Sequence, residues 1–330
     1  MRSREKTVLV IISICVFLLL SVFAGVLLGS TGSLFAVDVS SLELINIRLP
    51  RVIAALMTGG ALSICGVALQ AILGNPLAEP FLLGVSGGAV LGGTIGIIFG
   101  TYLFDSVFGV RVFSFGGALG SIFLLLYING KQGGFSPINM LLTGVIFNGF
   151  VSAVVTIFKA FIPAIKLQKV TLWLSGYIPY FNIQDIAVES LVVMIFSLLI
   201  VVESGRLNLL SLGDEVTQTS GVDVNALRIR IFIYTSVITG LVVSMSGLIG
   251  FIGLIIPQGL RSLGLINNRY LLPLSFVAGG AFTIFADLMC RLISGMYGFE
   301  PPISAVTAII GGPIFIFLLK DYFRGRGETI

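Results

Sequence analysis

Histidine is absent from this chain of 330 residues, and charged residues are scarce. The absence of histidine excludes a serine–histidine–aspartate triad, a histidine-ligated zinc site and a haem held by histidine. Only 10% of the residues are charged, whereas about 25% is usual in soluble domains. The chain therefore lacks the polar surface that a water-soluble enzyme or a nucleic-acid-binding module needs.

Cysteine is almost as rare as histidine. The three cysteines, Cys15, Cys65 and Cys290, are far apart and each lies in a strongly apolar run. They form no CxxC pair, so neither a disulfide scaffold nor a cysteine-based metal site is indicated. We interpret them as small apolar side chains and predict no catalytic residue and no metal site in this chain.

Apolar sequence takes the place of the missing polar residues. Apolar residues make up 56% of the chain, and the mean hydropathy is +1.10. A helix that crosses a bilayer needs about 20 mostly apolar residues. A shorter run, 250–263, contains Pro257 and is interpreted as a broken or half-depth helix. Runs of sufficient length occupy residues 8–28, 51–73, 82–100, 112–129, 138–160, 183–202, 229–249, 271–295 and 303–319.

The distribution of positive charge favours ten segments over nine. With ten alternating segments and the N-terminus in the cytoplasm, 12 of the 19 Lys and Arg residues face the cytoplasm and six face outward. Such a bias is typical of membrane proteins. Nine segments would place the basic C-terminal tail outside. The sequence thus predicts an all-α, polytopic membrane protein with about ten transmembrane helices, one domain over residues 1–330, and both termini in the cytoplasm.

Glycines recur every four residues in the third apolar run, which places them on one helical face. Small residues at this spacing allow helix backbones to approach closely in a membrane. The next run repeats the spacing with Gly116 and Gly120. The predicted packing face consists of Gly84, Gly88, Gly92, Gly96 and Gly100.

The segment 204–227 is the longest polar stretch within the membrane-spanning region. Its sequence, SGRLNLLSLGDEVTQTSGVDVNAL, predicts two short amphipathic helices with a glycine at each hinge, and acidic residues that favour a helix N-terminus. A passive linker needs no such pattern, so we favour a docking surface for a cytoplasmic partner protein. The candidate contact residues are Leu207, Leu210, Gly213, Asp214, Glu215 and Gly221.

Arginines mark the opposite side of the predicted membrane. Arg48 and Arg51 lie in the sequence RLPR, and Arg291 follows Asp287 by four residues. One interpretation is that Asp287 and Arg291 neutralise each other along a helix. The other is functional, because ionisable groups at membrane depth are usually conserved for a role. We expect the three arginines to be exposed and to bind an acidic surface.

Four motifs together resemble the FecCD-type permease subunits of ATP-binding-cassette (ABC) importers, which carry iron complexes, haem and cobalamin. The early motif is RLPRVIAALMTGGALSICGVALQAILGNPLAEPFLLGVSGGAVLG. The later ones are SGLIGFIGLIIPQGLR, LLPLSFVAGGAFTIFADLMCRLI and EPPISAVTAIIGGPIFIFLL. The resemblance extends from about Ile47 to Leu319.

The resemblance implies a type II ABC importer permease in the prokaryotic cell (inner) membrane, with a metal chelate such as a ferric siderophore, haem or cobalamin as substrate. It implies a homodimer with its pathway at the two-fold axis, two cytoplasmic ATPase subunits and a periplasmic or lipid-anchored substrate-binding protein. The chain has no G-x-x-x-x-G-K-[ST] loop. It is therefore expected to be no enzyme and to bind no cofactor, with ATP and Mg on the ATPase partner.

The resemblance also assigns roles to segments. The 204–227 stretch is similar to the coupling helices that contact the ATPase. Arg48, Arg51 and Arg291 match arginines that pair with glutamates of the binding protein in cobalamin permeases. The residues Ser136, Pro137, Ile138 and Asn139 match the region of the cytoplasmic gate, although they differ from the cobalamin type. The alternative function is an ion-coupled secondary transporter, for which Asp287 is the strongest candidate acid.

Overall fold

The computed structural model describes residues 2–28, 42–100, 106–130, 136–180 and 183–325. Within these ranges the chain is all-helical and contains no strand, which confirms the predicted fold class. A single 3-10 turn precedes α3 at Pro80–Leu83. The α-helices are α1 (Arg2–Leu27), α2 (Leu42–Leu73), α3 (Val85–Phe99), α4 (Ser106–Gly130), α5 (Pro137–Phe161), α6 (Ala164–Leu174), α7 (Ile183–Val202), α8 (Ser204–Leu210), α9 (Asp214–Thr219), α10 (Val224–Ser246), α11 (Ile252–Ser262), α12 (Asn268–Tyr297) and α13 (Ile303–Gly325).

Seven of the helices in the described ranges are long and apolar enough to cross a membrane, namely α1, α2, α4, α5, α7, α10 and α12. Two further apolar helices, α3 and α13, are shorter. Together with α11, these helices correspond to the ten predicted segments. The agreement follows from the strength of the signal, because a run of about 20 apolar residues has few stable alternatives to a helix in lipid.

The helices differ greatly in how far the chain itself covers them. Of the apolar stretch in α2, 83% is buried inside the molecule, and α10 and α12 are also mostly buried. In α1 only 11% is buried, and α5 and α7 are similarly open. The three buried helices therefore form the centre of the bundle, while the open ones present apolar surface that needs lipid or another chain.

The central helices α2 and α12 touch through paired glycines. A Cβ atom added to Gly59 would lie 1.9 Å from Thr283 Oγ1 and 2.3 Å from the carbonyl oxygen of Gly279. A Cβ atom added to Gly279 would in turn lie 2.5 Å from the carbonyl oxygen of Gly59. Only glycine permits this approach, so the two backbones are in direct contact. These glycines are not among the predicted packing residues.

The second close contact joins α3 to α4. A Cβ atom on Gly92 would lie 2.0 Å from the carbonyl oxygen of Phe113, and one on Gly88 would lie 2.4 Å from that of Gly117. One on Gly96 would lie 2.9 Å from the Cα atom of Val110. The middle of the predicted glycine face therefore lies against α4.

The two ends of that predicted face make looser contacts. Gly84 precedes α3 with a φ of +85°, and it faces both Gly144 of α5 and Leu125 of α4. Gly100 makes only ordinary van der Waals contact with Gly109. The packing prediction for Gly116 and Gly120 is wrong, since no atom lies within 4 Å of a Cβ added to either. The four-residue spacing identifies a face but not the direction in which it points.

This contrast gives a matched pair of variants. Gly92→Val is expected to lower the free energy of unfolding by about 1–3 kcal/mol, because the new side chain meets the α4 backbone. Gly116→Val, a matched glycine-to-valine change on α4, is expected to change it by less than about 0.5 kcal/mol. Thermal unfolding of the two proteins in detergent measures the difference. Equal unfolding midpoints for the two variants would contradict the close packing of α3 against α4.

The chain breaks between α10 and α11. Helix α10 ends at Ser246 rather than continuing to 249, and Phe251 is the one non-glycine residue of the described ranges with a positive φ, +73°. The Ser246 carbonyl accepts a hydrogen bond from the Tyr177 amide at 2.9 Å, and the Phe251 amide donates to Glu79 at 2.7 Å. These partners satisfy backbone groups that lipid cannot. The predicted break is therefore present, and α11, only about 16 Å long, is too short to cross a bilayer by itself.

Helix α6 is an element that the sequence does not predict. Its residues Lys166 and Lys169 interrupt the apolar pattern, so the stretch resembles a connector. The helix nevertheless buries Trp173, whose ring would lie 2.2 Å from a Cβ atom on Gly93 of α3. The packing of the buried Trp173 ring against Gly93 of α3 therefore anchors α6.

Candidate functional site

Two clusters of polar residues lie at opposite ends of α2. One end, here called the elbow end, carries the short helices α8 and α9. The other, the arginine end, carries Arg48, Arg51 and Arg291. Helix α2 runs from Arg48 and Arg51 to the elbow end at Leu73 without interruption, so a single rigid element joins the two.

Glycines form the hinges of the elbow. Gly213 has a φ of +112° and Gly221 has a φ of +82°, which glycine adopts more readily than other residues. Between them α9 begins at Asp214, with Glu215 also in its first turn, where acidic side chains stabilise a helix. The chain thus turns at both predicted glycines.

Two of the predicted contact residues of the elbow, Leu207 and Leu210, are not exposed. Leu207 is completely buried and Leu210 is 6% exposed, so neither can contact a partner protein, and that prediction is wrong. Both leucines hold α8 against the bundle. Leu212 and Val216 are 67% and 45% exposed and lie beside Glu215. The sequence pattern shows that α8 is amphipathic but not that its apolar side faces inward.

An arginine fastens the elbow to the bundle. Arg228, which is 9% exposed, donates from Nη2 to Asp214 Oδ1 at 2.9 Å and from Nε to the carbonyl oxygen of Ile72 at 3.3 Å. Asp214 belongs to α9, Arg228 to α10 and Ile72 to the last turn of α2. One side chain therefore bridges the elbow and the end of the central helix.

A second set of ion pairs lies at the start of α8. Glu203 is buried and accepts hydrogen bonds from Arg206 at 2.6 Å and from Arg230 at 3.0 Å. The hydrogen bond and negative charge of Glu203 raise the pKa of Arg206 above its ordinary value. Asn208 donates to the side-chain oxygen of Asn267 at 2.8 Å, which joins α8 to the residue preceding α12. Polar contacts therefore hold the elbow to the bundle both at the start of α8 and at α9.

A cavity of about 800 Å³ opens beside the elbow. Its polar lining includes Gln70, Arg228 and Gln258, and its rim includes Pro137 at the start of α5. Gln258 donates to the carbonyl oxygen of Pro76 at 2.8 Å and so fixes the turn after α2. The cavity is therefore bounded by the elements that meet the elbow.

The predicted gate residues lie at the start of α5 but do not form one cluster. Ser136 precedes the helix and Pro137 is its first residue, a position that suits proline because no backbone donor is needed there. Pro137 reaches the cavity, whereas Ile138 is 67% exposed on the outside of the molecule. Asn139 accepts from the Thr143 hydroxyl at 2.7 Å through its backbone carbonyl. Their gate role stays a prediction.

At the arginine end, a buried carboxylate joins two arginines. Arg51 donates to Asp287 Oδ1 from Nε at 2.9 Å and from Nη2 at 2.8 Å. Asp287 Oδ2 lies 2.9 Å from Arg291 Nε one turn along α12. The i,i+4 pair considered in the sequence is therefore present, and Arg51 extends it to a triad.

The prediction that all three arginines are exposed is wrong. Arg51 is 2% exposed, Arg291 is 3% exposed and Arg48 is half-buried. Arg48 donates to the carbonyl of Leu27 at 2.9 Å, and Arg291 donates to that of Gly25 at 2.9 Å. The C-terminal end of α1 covers them because its unpaired carbonyl groups attract cations.

Two further residues complete the cluster. Glu300, which follows α12, forms an ion pair with Arg51 Nη2. The Tyr180 ring centre lies 4.9 Å from the Arg51 guanidinium carbon, in cation–π geometry. Neither residue is among the predicted site residues. The one signal for Glu300 is its position directly before the two prolines of the last motif, and Tyr180 has none.

Among the described residues of this cluster, positive charge exceeds negative charge. Three arginines face the two carboxylates of Asp287 and Glu300 in that part of the chain. Arg291 Nη2 is buried and has no hydrogen-bond acceptor among the residues that the structure describes. Since an unpaired buried donor is costly, the cluster is suited to receive a further carboxylate.

The fold and these two ends define a class of protein. Long apolar helices packed through glycines, the break between α10 and α11 and an anchored elbow are features of a multi-pass membrane transport subunit. The chain belongs to the FecCD transport family, whose family model matches residues 8–321. It is accordingly an ABC importer permease of the inner membrane.

Relatives and a solved structure agree with this assignment. The chain is 34% identical over 276 residues to the cobalamin import system permease protein BtuC of Halobacterium salinarum, covering 84% of this chain and 73% of the relative. It is 35% identical over 292 residues to the "Probable iron chelatin transport system permease protein" of Helicobacter pylori, covering 88% and 86%.

The solved structure is described as an inward-facing conformation of a "metal-chelate type ABC transporter". It superposes with a TM-score of 0.83 and 29% sequence identity, and the match covers 93% of this chain and 97% of that chain. The match confirms the type II importer permease fold. The secondary-transporter alternative is not favoured, since the family and the structural match both indicate an ABC permease.

Proposed function

We propose that the chain is the membrane-spanning subunit of an ATP-driven importer for a metal chelate, namely a ferric siderophore, haem or cobalamin. It acts as a homodimer with two cytoplasmic ATPase subunits and an external substrate-binding protein. The observation that carries the proposal is the elbow, which exposes Leu212 and Val216 while Arg228 ties it to α2. A surface that is both exposed and rigidly linked to the bundle suits the transfer of force from a partner.

The energy for transport comes from the partner. ATP and Mg bind to the ATPase subunits, and this chain binds no cofactor. Closure of the ATPase subunits moves the elbow through its exposed residues Leu212, Glu215 and Val216. The Arg228 bridge passes the motion to α2 and α10, because its donors hold both Asp214 and the Ile72 carbonyl.

The elbow faces the cytoplasm in this proposal, as do both chain termini, and the arginine end faces outward. The binding protein docks at the arginine end through acidic residues. The excess positive charge around Arg51 and Arg291 supports this orientation, because opposite charges favour encounter between two proteins. The binding protein is periplasmic or lipid-anchored.

The pathway lies on the two-fold axis between two copies of α5. This helix leaves most of its apolar surface uncovered, with Ile146 71% and Phe150 63% exposed. The gate at its cytoplasmic end consists of Ser136, Pro137, Ile138 and Asn139. A bulky chelate passes best along an apolar wall that binds it weakly, since a tight site would retain it.

Copurification followed by uptake tests the proposal. The chain, tagged and expressed from its own genome, is purified from membranes, and its partners are identified by mass spectrometry. We expect an ATPase subunit and a substrate-binding protein. The complex in liposomes should then accumulate one of three probes, a ferric siderophore, haem or cyanocobalamin, only with internal ATP and the binding protein. Uptake driven by an ion gradient without ATP would refute the proposal.

A further inference from the structure

Glu300 pairs with the guanidinium of Arg51, which the proposed docking would use. The Arg51 side chain is 2% exposed, and Asp287, Glu300 and the Tyr180 ring lie against its guanidinium. An acid of another protein that pairs with Arg51 must take the place of one of these groups. Docking through Arg51 therefore requires one of them to move.

The two carboxylates around Arg51 differ in their freedom to move. Asp287 is 1% exposed, lies in the middle of α12 and also pairs with Arg291. The Glu300 side chain is 36% exposed and lies beyond Gly298, which ends α12 with a φ of +76°. Moving Asp287 would break buried ion pairs with two arginines, whereas moving Glu300 rearranges only a connector.

We propose that Glu300 is an internal stand-in for a carboxylate of the external binding protein, which displaces Glu300 from Arg51 when it docks. The inference rests on the proposed docking at the arginine end. Exchange of one carboxylate for another gives the buried guanidinium the same number of ion pairs before and after docking, and Asp287 stays paired with it in between.

The surroundings of Glu300 suit a protein partner. Tyr180, Tyr297 and Phe299 are 60%, 73% and 62% exposed, and the rings of Tyr297 and Phe299 lie 6.4 Å apart. Met296 beside them is 65% exposed. Aromatic residues and methionine are enriched at protein interfaces, particularly around a buried charged anchor. An acidic residue of the partner that enters among these rings would take the place of Glu300.

The stand-in lowers the apparent affinity for the partner. A partner that needs a free Arg51 binds only the fraction of molecules in which Glu300 has moved away. Removal of the Glu300 charge should raise that fraction. Since the ion pair is partly exposed, removal of the Glu300 charge is expected to lower the Kd for the partner about fivefold.

The test compares Glu300→Gln with Asp185→Asn. Both variants remove one negative charge, but Asp185 of α7 pairs with Arg111 of α4 and is 54% exposed. The permease–ATPase complex in nanodiscs is titrated with the binding protein identified by copurification. Glu300→Gln should tighten binding about fivefold, and Asp185→Asn should change it less than about twofold. Equal gains for both would refute displacement and indicate a general effect of charge.

Salt dependence separates displacement from a merely structural role of Glu300. In the wild type one carboxylate replaces another at Arg51, so the number of ion pairs stays constant and binding should depend weakly on salt. In Glu300→Gln docking adds an ion pair, so its affinity should fall more steeply with rising NaCl. A variant that only disturbs the connector would bind more weakly at every salt concentration, and that result would overturn the proposal.

Arg48→Gln distinguishes failure of the inference from failure of the proposed docking. Arg48 is the half-buried arginine of the cluster and does not contact Glu300. Weaker binding in Arg48→Gln, together with no gain in Glu300→Gln, would retain docking at the arginine end but reject displacement. Unchanged binding in both variants would reject docking at this end and the inference with it.

Discussion

Replacement of Asp287 by alanine is expected to lower the free energy of unfolding by about 3–5 kcal/mol, because it leaves two buried arginines without their shared carboxylate. Arg51 and Arg291 are 2% and 3% exposed, so water cannot replace the lost partner. The midpoint of unfolding, followed by circular dichroism during a detergent titration, measures the loss. The arginine end would open first, since Asp287 joins α2 to α12.

Asp185→Ala is the matched control for this prediction. Asp185 also forms an ion pair, with Arg111 at 3.6 Å, but its side chain is 54% exposed. Its removal should cost less than about 1 kcal/mol, as is usual for surface pairs. Equal losses in Asp287→Ala and Asp185→Ala would show that burial does not set the strength of the arginine cluster.

The double variant Leu212→Glu with Val216→Glu is expected to abolish association with the ATPase. The two side chains are the large exposed apolar groups of the elbow, and the variant would bury two unpaired carboxylates in their place, at a cost of about 2 kcal/mol or more each. That cost corresponds to a weakening of about a thousandfold. Copurification of the ATPase with the tagged chain measures it, and ATP-driven uptake should disappear as well.

The membrane fold should survive this double variant. Leu212 and Val216 face away from the bundle, so size-exclusion behaviour and thermal unfolding should remain as in the wild type. Leu263→Glu is a suitable control, because Leu263 is 58% exposed just after α11 and lies outside the elbow. Undiminished copurification in the double variant would remove the elbow from the proposed ATPase interface.

The periodic and compositional features of this chain are those that the sequence predicts well. Apolar runs identify the crossing helices because lipid leaves a backbone no other stable choice, and Gly213 and Gly221 identify the hinges of the elbow. Helix α6 escapes prediction because only Val170 and Trp173 are buried, and its lysines break the apolar pattern. Burial of a single ring leaves no periodic signal.

Tertiary contacts set the features that could not be predicted. The sequence shows that Arg51 and Arg291 are cations near the end of a span, but the carboxylates and α1 carbonyls that bury them come from distant parts of the chain. Leu207 and Leu212 have the same chemistry five residues apart, and only the packing of α8 decides which one is buried. The sequence therefore does not predict which side chains at a helix end are buried and which are exposed.

The continuity of α2 has a thermodynamic consequence. This helix of 32 residues, about 48 Å long, holds Arg51 near one end and offers the Ile72 carbonyl to Arg228 at the other. If docking at the outer end alters the affinity for the ATPase, linkage requires that the ATPase alter the affinity for the docked protein by the same factor. The nucleotide state of the ATPase inside the cell would then set how long the binding protein stays docked on the outer face.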